Sequence, residues 1–135
     1  MDGETASYAD VVAGVRTAIA RYAQAVDDGR AADVVATFCA DGSADIPGAG
    51  VITGSEALLG YFADLRPRGR SRHVVVNTDV TQWSAAAATA ISDLIVLGRT
   101  AEAGWSVQLA GRYHDVLHSQ DGGWRFHSRT LRFAD

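Results

Sequence analysis

The hydrophobic period of the chain changes partway along, and this change limits the possible fold more than any other feature. Through Leu65 the apolar residues recur at helical spacing; from His73 onward they alternate in pairs, as strands require. Val12, Val15, Ile19, Tyr22, Ala23 and Val26 form one stripe of an amphipathic helix that Gly29 stops. A shorter helix is expected over Ala31–Phe38, burying Val34, Val35 and Phe38. Asp45-Ile46-Pro47 and Val51-Ile52 read as short extended pieces around a Gly48-Ala49-Gly50 turn. Thr53 and Glu56 have capping-box spacing and open a third helix, with Leu58, Leu59, Phe62 and Leu65 inside and Pro67 ending it. An Arg-rich loop, Pro67 to Ser71, precedes four expected strands: His73–Trp83, Ala87–Arg99, Trp105–Ser119 and Trp124–Phe133. Their short connections, the clearest being Asp121-Gly122-Gly123, require antiparallel pairing. The plan is α+β, with helices on one face of a long-stranded antiparallel sheet whose curling encloses a cavity.

With 135 residues, the chain makes one domain. Its 12 basic residues, all Arg, stand against 16 acidic ones for a net charge of −4, which argues against nucleic acid or an anionic membrane as partner. No apolar run approaches the roughly 20 residues that cross a bilayer. The opening Met-Asp-Gly-Glu is acidic, unlike a secretory signal, so a cytoplasmic location is expected. The single Cys39 allows no internal disulfide, fits a reducing compartment, and lies where burial is expected.

Two adjacent carboxylates end the first helix, and the helical period separates them: Asp27 faces the sheet and Asp28 faces water. Asp27 either bonds a backbone amide or an Arg near the Gly29 turn, or serves a site. His73, Val75 and Asn77 share one strand face, which suits either a polar-tipped pocket or a wet outer surface. Tyr113 and Asp115 share another face; Asp115 is a candidate acid or base, or else the salt-bridge partner of an Arg such as Arg129. His114-Asp-Val-Leu-His118 has the outline of a zinc motif, but on a strand its histidines stand roughly 13 Å apart, so no metal is expected there. Gly48, Gly50 and Gly54 miss the dinucleotide fingerprint, and no cofactor is expected. Arg66, Arg68, Arg70 and Arg72 read as a solvated cluster or a dock for an anionic ligand. Trp83, Trp105 and Trp124 are expected in the core or at a dimer interface.

Arg21-Tyr22-Ala23, Asp27-Asp28-Gly29, Pro47-Gly48, Gly50-Val51-Ile52-Thr53-Gly54, Arg72-His73, Asn77, Gly111-Arg112-Tyr113, Asp115 and Gly122-Gly123-Trp124-Arg125 occur in an order and spacing that resemble the SnoaL-like branch of the NTF2-like superfamily. That resemblance implies a cone, in which three N-terminal helices close a deep pocket in a strongly curved antiparallel sheet. It also implies a small hydrophobic or aromatic metabolite as ligand and a second copy of the chain as partner. Asp27 and His73 occupy the places of the Asp and His that scytalone dehydratases pair; that family's second active-site histidine has no counterpart near Ser92 or Asp93. The resemblance therefore implies His73 as general acid/base, Asp27 as its orienting partner, and Tyr22, Asn77, Tyr113 and Asp115 as substrate contacts. Dehydration, cyclisation and isomerisation all fit, as does a non-catalytic binding or assembly subunit of the dioxygenase small-subunit kind.

Overall fold

The computed structural model describes residues 6–65 and 70–134. Helix α1 (Tyr8–Asp27) opens on a capping box: Ser7 Oγ accepts from the Asp10 amide at 3.1 Å, and Asp10 Oδ2 accepts from the Ser7 amide at 3.2 Å. Its stripe Val11, Val15, Ala18, Ile19, Tyr22 and Ala25 is buried. Helix α2 (Ala31–Ala36) is shorter than expected, because Phe38 already belongs to β1 (Phe38–Ile46). A turn leads to β2 (Gly50–Thr53), then to α3 (Ser55–Asp64). The expected Thr53–Glu56 capping box does not form; Gly54, at φ 90°, is the N-cap and no side chain caps the helix. Leu58 and Phe62 point inward, whereas Leu59 and Leu65 are exposed.

Strands β3 (Arg70–Trp83), β4 (Ala87–Thr100), β5 (Gly104–Gln120) and β6 (Gly123–Phe133) match the alternating half of the sequence closely. Arg70 and Ser71 lie in β3 rather than in a loop; Arg66 and residues 67–69 fall outside the described residues. Trp83 and Trp105 are exposed, contrary to a core role, and only Trp124 packs against the core.

The six strands form one curved, unclosed sheet in the order β2-β1-β6-β5-β4-β3. The sheet is mixed rather than wholly antiparallel, because β1 runs parallel to β6. Short turns dictate antiparallel pairing only between consecutive strands, and β1 meets the last strand of the chain, with no hairpin to set its direction. Helix α1 lies across the concave face against β3 and β6, and α2 and α3 follow it at one end. Between them Tyr22 meets Phe38, Phe62, Tyr113 and Phe126, with ring centroids 5.8 to 6.3 Å apart in edge-on contacts. Burying each such ring stabilises the fold by about 2 kcal/mol or more.

Candidate functional site

The last residue of α1 meets the opening turns of β3. Asp27 Oδ1 lies 2.7 Å from His73 Nδ1, and the His73 backbone amide donates to both carboxylate oxygens at 3.0 and 3.1 Å. An ionised carboxylate only accepts, so Nδ1 is the donor in this contact, and a neutral His73 held this way has its lone pair on Nε2. The double bond to backbone and ring also fixes the imidazole's position, since both donors belong to one residue. Asp27 is nearly buried and His73 partly so, at 7% and 19% side-chain exposure. Asp28 faces solvent and pairs with Arg30 at 3.3 Å, as the helical period requires.

His73 lines a small cavity of about 80 Å³ under the helices, with Tyr22, Tyr113 and Arg129 on its walls and Tyr61 and the exposed Leu65 beside them. Burial raises the pKa of both Tyr22 and Tyr113, reinforced at Tyr22 by Tyr113 and Asp115 and at Tyr113 by Asp115 against the pull of the Arg129 cation, so both hydroxyls stay protonated donors. Arg129 is the residue that period reasoning left in a supporting role. It is 2% exposed, and its guanidinium carbon sits 3.4 Å from the Tyr113 ring centroid, 4.3 Å from Tyr22 and 4.6 Å from Phe126. Its Nε lies 3.2 Å from Asp115 Oδ1 but is misaligned for a hydrogen bond, and its three nitrogens have no hydrogen-bond partner. The cavity thus offers one base, two phenol donors and a cation with unused donors. That set suits removal of a proton and stabilisation of the oxyanion that results.

Two expected contacts are placed elsewhere. Asn77 does not join His73 in the cavity. A bulge between Val76 and Asp79 makes Asn77 the extra residue, at φ 55°, and turns its amide outward to donate to Asp93 Oδ2 at 2.9 Å. Asn77 instead lines an open groove of about 620 Å³ between α1 and β3, which Asp27 and His73 line as well. Asp115 does not line the cavity. It lies beneath as the counter-ion of Arg129, and burial pushes its carboxyl up to about 6 against the pull of that cation. A further groove of about 1070 Å³ runs between α1, α2 and the β5–β6 turn, away from the Asp27–His73 pair. Among the described residues, the one cluster of three potential metal ligands is on the other side of the sheet.

The family model for the SnoaL-like domain matches residues 7–130. Among solved structures, Rv3472 of Mycobacterium tuberculosis, a protein of unknown function, is 29% identical, with a TM-score of 0.84 over 92% of this chain and 72% of that one. A "Putative Scytalone Dehydratase" from Novosphingobium aromaticivorans is 21% identical, with a TM-score of 0.79 over 93% and 85%. ActVI-ORFA from Streptomyces coelicolor is 24% identical, with a TM-score of 0.80 over 91% and 96%. The last two likenesses are of fold. No curated protein sequence matches the chain.

Proposed function

Since the chain belongs to the SnoaL-like domain family, we propose that its Asp27–His73 pair makes it a cofactor-independent acid/base enzyme. The substrate is a small cyclic, aromatic or polyketide-like metabolite, and the reaction a dehydration, cyclisation or double-bond isomerisation. The observation that carries this reading is the imidazole held by a carboxylate at 2.7 Å on the wall of a cavity with Tyr22, Tyr113 and Arg129.

In the proposed reaction Nε2 of His73 takes a proton from a carbon beside a carbonyl, and Asp27 stabilises the imidazolium that forms. The electron pair left on carbon moves onto the carbonyl oxygen, where the phenols and the Arg129 guanidinium lower the energy of the enolate. As the enolate collapses, the imidazolium returns its proton either to a departing hydroxyl, which leaves as water, or to a different carbon. Entry of substrate requires the cavity to widen, because about 80 Å³ holds only two or three water-sized groups and ligand cavities run from roughly 300 Å³ upward. The Leu65 and Tyr61 side chains are the ones placed to swing aside.

Incubation in deuterated water with a panel of cyclic hydroxy-ketones and polyketide-type aromatics tests the reading. At least one compound should lose water or take up deuterium, and His73→Ala should slow that conversion by about 100-fold or more with the fold intact by circular dichroism. Equal rates in the two proteins would overturn it. The partner implied by the family is a second copy of this chain: sedimentation at micromolar concentration should show a dimer, and a monomer would contradict that part.

A further inference from the structure

Two irregularities of the sheet meet at one place on the side away from the cavity. Between Leu117 and Val116 the β5–β6 register advances one residue on β5 and two on β6, leaving His127 as the extra residue. Beside it, the β1–β6 pairing passes from Phe38–Phe126 to Ser43–Ser128, so β1 makes a detour through Cys39, Ala40, Asp41 and Gly42 while β6 advances two residues. Gly42 is what lets this detour close: a Cβ there would stand 2.8 Å from the Phe126 carbonyl oxygen and 2.9 Å from that of Cys39. Bulges re-aim side chains, and these two bring residues from three neighbouring strands together.

The residues are Cys39 on β1, His118 on β5 and His127 on β6. Each offers one ligand atom, and these atoms all lie within 4.8 Å of one another. Phe38, Leu117 and Phe126, their sequence neighbours, point into the core, so the three point to the opposite face. Cys39 is fully buried, and the two imidazoles stack over it with centroids 4.4 Å apart and planes 11° apart. The Nδ1 of His127 is buried without a hydrogen-bond partner, a state that costs about 1–3 kcal/mol unless something else binds there.

We propose that Cys39, His118 and His127 form a binding site for a thiophilic divalent transition-metal ion, with zinc as the ion that their chemistry fits best. One thiolate and two imidazoles are a borderline-soft donor set, which favours zinc, cobalt or copper over magnesium or calcium. Tetrahedral zinc needs its sulfur and nitrogen ligands about 3.3–3.6 Å apart. Reaching that from atoms within 4.8 Å of one another takes a contraction of at most about 1.5 Å, achieved by turning the stacked rings so that their lone pairs converge. Three protein ligands leave a fourth position for water. The site lies across the sheet from the Asp27–His73 pair, is independent of the proposed reaction, and ties β1 to the β5–β6 hairpin.

The test uses the full chain, purified without a histidine tag and dialysed against a chelator, then titrated with cobalt(II) chloride alone. One equivalent should bind, with intense visible bands of tetrahedral cobalt and a thiolate-to-cobalt charge-transfer band in the near ultraviolet, and zinc chloride should displace it. Cys39→Ser should abolish the charge-transfer band, and His118→Gln and His127→Gln should each weaken binding by more than about tenfold. His114→Gln, on the same strand but outside the cluster, should bind as the wild type does. Should Cys39→Ser fail to fold, the partly exposed His118 and His127 variants decide the matter. Absence of stoichiometric binding by the wild type, or binding that survives both histidine variants, would overturn the proposal.

Discussion

At the residue scale the site depends on groups with one option each. Asp27 can only accept, and it makes three contacts with two donors: the His73 ring and, through both oxygens, the His73 amide. In the proposed reaction Asp27→Asn removes the charge that stabilises the imidazolium, so activity should fall by about 100-fold or more, and unfolding in urea should show a loss of about 1.5–3 kcal/mol. The buried pair beneath the cavity behaves asymmetrically. Arg129 cannot shed its charge, whereas Asp115 can take up a proton. Asp115→Asn leaves that cation facing a neutral side chain, as the protonated acid does, and should cost about 1 kcal/mol or less at neutral pH, whereas Asp115→Leu, which offers it no oxygen, should cost about 3–5 kcal/mol, as urea titrations of both would show. The carboxyl of Asp115 is raised by burial to about 6, above its usual value of 3.8. A raised acid favours the folded state most when it is protonated in both states. Its contribution is present in full below about pH 4 and is lost as pH rises through about 6. Urea stability measured across that window should carry this component in the wild type and lack it in Asp115→Asn.

At the element scale, regular stretches were legible in the sequence and irregular ones were not. The pairing period placed β3 to β6 within a few residues, and the helical period separated Asp27 from Asp28 correctly, because both patterns follow from burial of one face. Asn77 shares the outer groove with His73 but not the small cavity, because a bulge that strict alternation has no means of anticipating turns it outward. Arg129 was legible as a partner for Asp115, but its place on the cavity wall was not, for the same reason: counting in twos from the inward Phe126 reaches Ser128, and only the extra His127 brings Arg129 into the inward row. The parallel seam between β1 and β6 joins opposite ends of the chain, beyond the reach of any local signal. These irregularities make their own demands. Asn77→Val places a branched side chain at φ 55° and should cost about 1–2 kcal/mol, while Asn77→Gly should stay near wild type. Gly42→Ala forces a Cβ against two backbone carbonyls that have little room to yield, and thermal unfolding should show a loss of about 1–3 kcal/mol.

At the scale of the whole molecule, the helices and sheet bring together one end of α1 and one end of an edge strand, 46 residues apart in sequence, at the wall of a narrow cavity. Among the described residues no helix is long and apolar enough to cross a membrane. The narrowness has a consequence for catalysis: Leu65→Ala should ease entry, lowering KM or raising the exchange rate for bulkier compounds while leaving the Asp27–His73 pair in place. The family and fold followed from motifs spread along the chain, but the cavity's size did not, because volume depends on how the side chains of Tyr61, Leu65 and Arg129 pack. The proposed reaction rests on Asp27 holding the His73 imidazole with Nδ1 protonated and Nε2 free to act as a base. Nitrogen NMR of the labelled protein, which has four histidines, reads this directly. At neutral pH one imidazole should show the Nδ1–H tautomer with a slowly exchanging proton; that signal should vanish in His73→Gln and lose its protection in Asp27→Asn. A His73 ring found as the Nε2–H tautomer, or one indifferent to Asp27→Asn, would rule out that role for the pair.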